Sequence, residues 1–304
     1  MKNLLTTITI ALLLSGNVTV SAMRPDTGLD KKLAGYLSTK PEYARTKAGM
    51  ERFRAKESPA VGIAVHRAAN EFAPENTLSA MQLALELGVD YIEMDVRQTK
   101  DGISVLLHDG NLDRTTNGKG PVNKMNYKEV RALSAGSWFD PFFVTEQVPT
   151  LEEACKLLAD HNQKNRHKTY FYVDCKEINA KVLIDNLKKY NLLDESVFYL
   201  NSTDQIGQIR ALAPKARMMP GLGNANDLDK MIDKYHPYAL DTNWKELTKE
   251  LIDKAHAKGV KIFSDGFGKD MTPESYAKAI QAGIDVISTN KISVICEAAE
   301  KIKK

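Results

Sequence analysis

The chain has 304 residues, of which 43% are hydrophobic and 27% charged, enough apolar material for one large core or two modest ones and an ordinary charge content for a soluble protein. That excludes a disordered chain, a collagen and a disulfide-stapled miniprotein. The formal net charge of +3, from 42 basic and 39 acidic side chains, is too even to point to nucleic acid. Cys155, Cys175 and Cys296 are too few and too irregularly spaced for a zinc knuckle or a disulfide framework, so free thiols or one incidental bridge are expected.

Residues 1–22 read as a secretory signal peptide: Lys2, an apolar run from Leu4, then Val20-Ser21-Ala22 with small residues where cleavage is determined. The run is broken by Gly16 and Asn17, short of the about 18 to 20 apolar residues of a membrane anchor. Cleavage is expected after Ala22, giving a secreted or periplasmic mature protein with no transmembrane segment. Residues 23–59 are expected to form an N-terminal helical extension. From residue 60 to 304, eight β-branched or aromatic runs, at 61–66, 91–98, 170–175, 197–200, 217–219, 238–241, 261–264 and 285–288, read as strands. Helix-period segments at 78–87, 151–165, 182–190, 204–212, 228–235, 247–258, 273–282 and 292–302 separate or follow them. Eight βα units in about 250 residues predict an α/β fold, the TIM (β/α)8 barrel. A doubly wound open sheet is disfavoured, because no Gly-x-Gly-x-x-Gly turn follows the first strand. A further strand at 103–109 and a loop-rich insertion at about 110–149 interrupt the alternation after the second strand.

Active sites of such barrels collect at the C-terminal ends of the strands. His66-Arg67 ends the first strand, Glu93 and Asp95 sit in the second, His108-Asp109 ends the extra strand, and Asp174 and Lys176 end the third. Side chains alternate at period two, so Glu93 and Asp95 share a face and so do Asp174 and Lys176, while Met94 and Cys175 face the helices. Three carboxylates in one mouth repel one another unless a cation compensates them, and all-oxygen ligation selects Mg²⁺ or Ca²⁺ over zinc. With Arg67 and Lys176 the three acids sum to −1; one divalent cation makes the set +1, which complements a phosphodiester. His66 and His108 have near-neutral intrinsic pKa values, suiting them to exchange protons with an attacking hydroxyl and a leaving alkoxide.

These residues lie in a series of motifs. His66-Arg67-Ala68 with Ala73-Pro74-Glu75-Asn76-Thr77, then Glu93-Met94-Asp95, Asp101-Gly102, His108-Asp109, Asp113-Arg114-Thr115-Thr116-Asn117-Gly118 and Val148-Pro149-Thr150-Leu151-Glu152-Glu153 follow in order. The series resembles the glycerophosphodiester phosphodiesterase family, from about residue 61 to the C-terminus and most strongly before 155. The resemblance implies a TIM barrel with a small insertion that hydrolyses glycerophosphodiesters to an alcohol and glycerol 3-phosphate. It implies His66 and His108 as the acid/base pair, Glu93, Asp95 and Asp174 as ligands of one divalent cation, and Arg67 and Lys176 as phosphate binders. It also implies attack by the glycerol hydroxyl beside the phosphate, giving a cyclic phosphate that water opens.

The chain departs from the family pattern at Ala68, where Gly is usual, and at Asp174, where Glu is usual. Toward the C-terminus it has Phe263 and Asp265, then Thr289-Asn290-Lys291-Ile292, where the family tends to carry Trp and Asn and then Thr-Asp-x-Pro. These differences bear on the leaving group more than on the reaction. Glu75 and Asp109 are candidates to orient the catalytic groups. Trp138, Phe139, Phe142 and Phe143 are expected to pack a small core of the insertion rather than to wall the cleft. His161, His167, His236 and His256 lack acidic company and read as surface or loop residues. The expected partner is a small glycerophosphodiester. The alternatives are a phospholipase-type lyase acting on intact lipids and a non-catalytic phosphodiester-binding barrel.

Overall fold

The alternating runs close into a parallel barrel in the computed structural model, which describes residues 31–54, 61–268 and 271–302. The expected export signal lies outside the described residues. The strands are β1 (Gly62–Val65), β2 (Tyr91–Gln98), β3 (Ser104–Leu106), β4 (Tyr170–Cys175), β5 (Val197–Tyr199), β6 (Arg217–Met219), β7 (Gly221–Leu222), β8 (Ala239–Thr242), β9 (Lys261–Gly266) and β10 (Val286–Thr289). The helices are α1 (Lys31–Ser38), α2 (Pro41–Arg54), α3 (Leu78–Leu87), α4 (Tyr127–Arg131), α5 (Leu151–Lys164), α6 (Ala180–Lys189), α7 (Thr203–Leu212), α8 (Leu228–Tyr235), α9 (Lys249–Ala257), α10 (Pro273–Ala282) and α11 (Ile292–Lys301).

The parallel path runs β6-β5-β4-β2-β1-β10-β9-β8-β7, and β3 pairs antiparallel with β2 outside it. Its two ends, β6 and β7, are halves of one extended segment parted by Pro220, which has no N–H to give a ladder. The ring still closes: the carbonyl oxygens of Met218 and Pro220 accept from Tyr238 N (2.9 Å) and Asp241 N (3.1 Å). The nine parallel strands thus occupy eight positions, and each of the eight predicted runs supplies one.

Inside the barrel, Tyr91 and Tyr172 meet Phe263 in edge contacts at 5.5 and 6.3 Å and plug it with other inward residues. Strand parity then dictates the mouth. Two residues beyond this plug stand Glu93, Asp174 and Asp265, and Asp241 stands two beyond the inward Ala239. Met94 and Cys175 point outward into the large core beneath the helices. All three cysteines are buried and free.

The N-terminal helices brace the outside of the barrel. Along α2, Gly49 leaves room for Cys296 of α11, since a methyl there would sit 3.0 Å from the Cys296 Cβ. Arg54 pairs with Asp90 at 2.7 Å and donates to the Gly88 carbonyl at 2.9 Å, which lashes α2 to the entry of β2. In α1, Tyr36 stacks on Phe142 at 4.3 Å and donates to Asp140 at 3.0 Å. Phe139 and Phe143 complete that cluster, so these insertion aromatics pack against α1, while Trp138 is 41% exposed. No helix among the described residues is long and apolar enough to cross a membrane.

Candidate active site

The turn after β1 carries the first catalytic candidates in a strained backbone. Arg67, Ala68 and Asn76 have φ of 54°, 64° and 55°, the left-handed region in which a side chain costs about 1–2 kcal/mol. Three such residues in one short loop persist because the loop is tied down on all sides. Glu93 Oε2 accepts from Arg67 N at 2.6 Å and the Glu93 carbonyl from Ala68 N at 3.1 Å. Asn76 donates through Nδ2 to Asp95 Oδ2 at 2.8 Å and accepts from Asp95 N at 3.2 Å. Thr77 then caps α3, its side chain accepting from Ala80 N. The tight turn thus fixes the β2 acids as well as the residues it carries.

Glu93, Asp95 and Asp174 offer carboxylate oxygens within 4.8 Å of one another. Burial, together with the Asp95 and Asp174 charges, pushes the Glu93 carboxyl well above its usual range. Burial raises Asp174 as well, although Lys176 opposes the shift from 2.5 Å away. Lys176 is itself held above the usual lysine range, burial being outweighed by Asp174 and the other acids. Asp95 Oδ1 is buried without a hydrogen bond, with Lys176 Nζ 3.4 Å away. Glu93 and Asp174, raised by burial and by the neighbouring acids, and an orphaned carboxylate oxygen on Asp95 fit a divalent cation held by oxygens.

The two histidines have contrasting partners. Asn290 Oδ1 accepts from Asn70 Nδ2 and lies 2.7 Å from His66 Nδ1, so Nδ1 carries the proton and Nε2 is left with a lone pair. Burial and the neighbouring Arg67 charge hold His66 down at about 4, so the ring is neutral at neutral pH. His108 Nδ1 lies 2.7 Å from Asp109 Oδ1. Arg114 donates to both Asp109 oxygens, at 2.8 and 3.2 Å, and its hydrogen bond does most to hold that carboxyl well below the usual range. His108 therefore faces an anion. Burial works against ionisation of Glu75, but Arg114 and Arg67 outweigh it and keep this carboxyl below its usual value. Glu75 binds Arg67 Nη1 at 3.0 Å and both Arg114 terminal nitrogens at 2.8 Å.

Every predicted site residue is thus at this end of the barrel. Glu75 orients the arginines and Asp109 orients His108. His161 and His256 sit on α5 and α9 and His236 ends α8, but two of the four do have an acidic neighbour, contrary to the sequence reading: His256 Nε2 lies 2.7 Å from Asp285 Oδ2, and His167 lies 3.8 Å from Asp90 near the opposite rim of the barrel.

The profile of the Glycerophosphoryl diester phosphodiesterase family matches residues 66–294, about three quarters of the chain. The chain belongs to the glycerophosphodiester phosphodiesterase family. It is a phosphoric diester hydrolase on a TIM barrel. A glycerophosphodiester phosphodiesterase of Caldanaerobacter subterraneus is 30% identical over 246 residues, covering 79% of this chain and 98% of its own. The solved glycerophosphodiester phosphodiesterase of Agrobacterium tumefaciens superposes with a TM-score of 0.70 at 28% identity, covering 78% of this chain and 99% of the other. An Oleispira antarctica phosphodiesterase, solved with the product sn-glycerol-3-phosphate, shares the fold at TM-score 0.69 and 23% identity, covering 78% and 96%.

Several residues of this phosphodiesterase escaped sequence reading as functional. Arg114 lies inside the motifs with no role that the sequence reveals, Asn76 reads there only as a candidate helix cap beside Thr77, and Asn290 stands only among the departures from the family pattern. Each hydrogen-bonds a residue that the fold brings to it: Asn76 bonds Asp95, 19 positions away, Arg114 bonds Glu75, 39 away, and Asn290 bonds His66, 224 away. Asp241 and Asp265 form a second, half-buried acidic group across the mouth, where burial raises both carboxyls and Asp265 further raises Asp241. Their strand-end positions were the available signal.

Proposed function

We propose that the protein hydrolyses glycerophosphodiesters to glycerol 3-phosphate and an alcohol with two histidines and one divalent cation, Mg²⁺ or Ca²⁺. What carries this reading is the mouth that joins three mutually repelling acids to two histidines with opposite partners. Glu93, Asp95 and Asp174 would hold the cation, which when bound neutralises phosphate charge and supports the charge that builds in the transition state. Arg67, paired with Glu75, and Lys176, kept charged by the acids, bind the non-bridging phosphate oxygens. His66, neutral and with Nε2 free, accepts the proton of the glycerol hydroxyl beside the phosphate as that oxygen attacks phosphorus. His108, facing Asp109, donates a proton to the departing alcohol. The resulting cyclic phosphate is opened by water with the two histidines in exchanged roles. The signal-like pattern at residues 1–22 supports a place for this chemistry outside the inner membrane.

The test is release of glycerol 3-phosphate from glycerophosphocholine by the mature protein, with chelator and then with Mg²⁺ or Ca²⁺ restored. Metal-dependent product is expected. Equal rates with and without chelator would remove the cation from the mechanism, and no product from folded protein with either metal would remove the substrate.

A further inference from the structure

The second half of the mouth holds a cavity that the chemistry above leaves unused. It measures about 840 Å³ and is walled by Tyr199, Trp244 and Phe267, with Asp241 and Asp265 in its lining and Lys245 exposed at the rim. Tyr199 lies in register with Asp174, and the Phe267 ring lies 4.1 Å from that of His66, so the cavity adjoins the phosphate site on two sides. Asp241 Oδ1 is sealed from solvent and makes no hydrogen bond. When ionised, the two carboxylates and Lys245 leave the lining one unit negative. Bringing two half-buried carboxylates together is unfavourable, and a neutral ligand answers them with hydrogen bonds but does not cancel their charge. A cation does, and aromatic faces attract the same cation.

Resting on the reading of the reaction above, we propose that this cavity takes a cationic alcohol substituent of the phosphodiester, a quaternary or primary ammonium. Asp241 and Asp265 are its counter-ions, and Tyr199, Trp244 and Phe267 are its walls. Of the two substituents on phosphorus the glycerol is neutral, so the two carboxylates select the other one. The cavity makes the enzyme prefer choline-bearing and ethanolamine-bearing diesters to diesters with neutral alcohols.

Calorimetric titration of wild-type protein with choline and with its uncharged isostere dimethylbutanol tests the cavity without relying on catalysis or on a variant. Choline is expected to bind at least about tenfold more tightly; equal affinities would overturn the proposal. In Asp241→Asn and Asp265→Asn, the ratio of kcat/KM for glycerophosphocholine to that for glycerophosphoglycerol is expected to fall about tenfold. An unchanged ratio would mean that the acids hold the glycerol common to both substrates, and would also overturn it. If wild-type protein cleaves neither diester, the reaction reading fails, and the choline titration still decides the cavity.

Discussion

The two halves of the barrel mouth use the same strand-end positions for different work. Around β1, β2 and β4, most polar groups are answered by another, Arg67 by Glu75, His66 by Asn290, and His108 by Asp109 and in turn by Arg114, and Asp95 is answered by Asn76 at one oxygen while its other makes no hydrogen bond. On β8 and β9, Asp241 and Asp265 face a cavity and each other. The first half is pre-organised for a fixed chemical event, with donors and acceptors already aimed. The second half leaves Asp241 with no compensating group and Asp265 with little, which is what a surface needs if it is to select among substituents. Substitutions in the first half should therefore slow every substrate, and those in the second should change which substrate is preferred.

The largest effect is expected at the acids. Asp95→Asn removes the orphaned oxygen's charge and should lower kcat/KM by about 10³-fold or more on any glycerophosphodiester, with the melting transition retained. A variant that keeps wild-type rates would dissolve the boundary between the halves. His66→Ala should cost roughly 10²- to 10⁴-fold on all substrates alike, without unfolding the protein. Asp109→Asn leaves His108 a neutral partner and should cost about 10- to 100-fold, with KM little changed, which steady-state kinetics will read.

The pH profile sharpens the same contrast. His66 acts as acceptor only when neutral, and its folded value of about 4 means that activity should persist to low pH and fall as pH drops through that value. The sign for stability follows from the same shift. The unfolded chain takes up a proton near the ordinary histidine value of 6.5 that the folded ring refuses until about 4, so the His66 contribution to stability is lost as pH falls across that window. Denaturant melts at pH 7 and pH 4.5 on wild type and His66→Gln will read it: the wild type should lose more stability between the two.

The smallest effect belongs to Ala68. Its left-handed backbone favours glycine, but its methyl is fully buried, and one buried methyl contributes about 0.8 kcal/mol. Ala68→Gly should therefore stabilise by less than about 1 kcal/mol in denaturant titration, since strain relief and lost packing nearly offset.

Much of the first half could be read in the sequence because its residues cluster there. His66, Glu93, Asp95 and His108 fall within 43 positions, and strand parity alone aims the acids into the mouth. The fold was legible for a related reason: each strand and its following helix is a local pattern, so even the segment broken at Pro220 kept its place as the run at 217–219. The partners were not legible. Asn290 reaches His66 only because β10 closes beside β1, and Arg114 reaches Glu75 only because the insertion folds back over the mouth. Asp241 and Asp265 look like ordinary strand-end acids until the barrel shows them half-buried together, a fact of closure that no local pattern carries.

The asymmetry between the histidines is the most exposed claim, and leaving-group chemistry tests it most directly. Compare wild type, His66→Ala and His108→Ala on glycerophosphocholine and on a glycerol diester of p-nitrophenol, whose phenolate leaves without needing a proton. His108→Ala should lose roughly 10²-fold or more on the choline diester and recover close to wild-type rates on the nitrophenyl diester, while His66→Ala stays slow on both. Equal losses for both variants on both substrates, or rescue of His66→Ala in place of His108→Ala, would contradict the assignment of acceptor and donor.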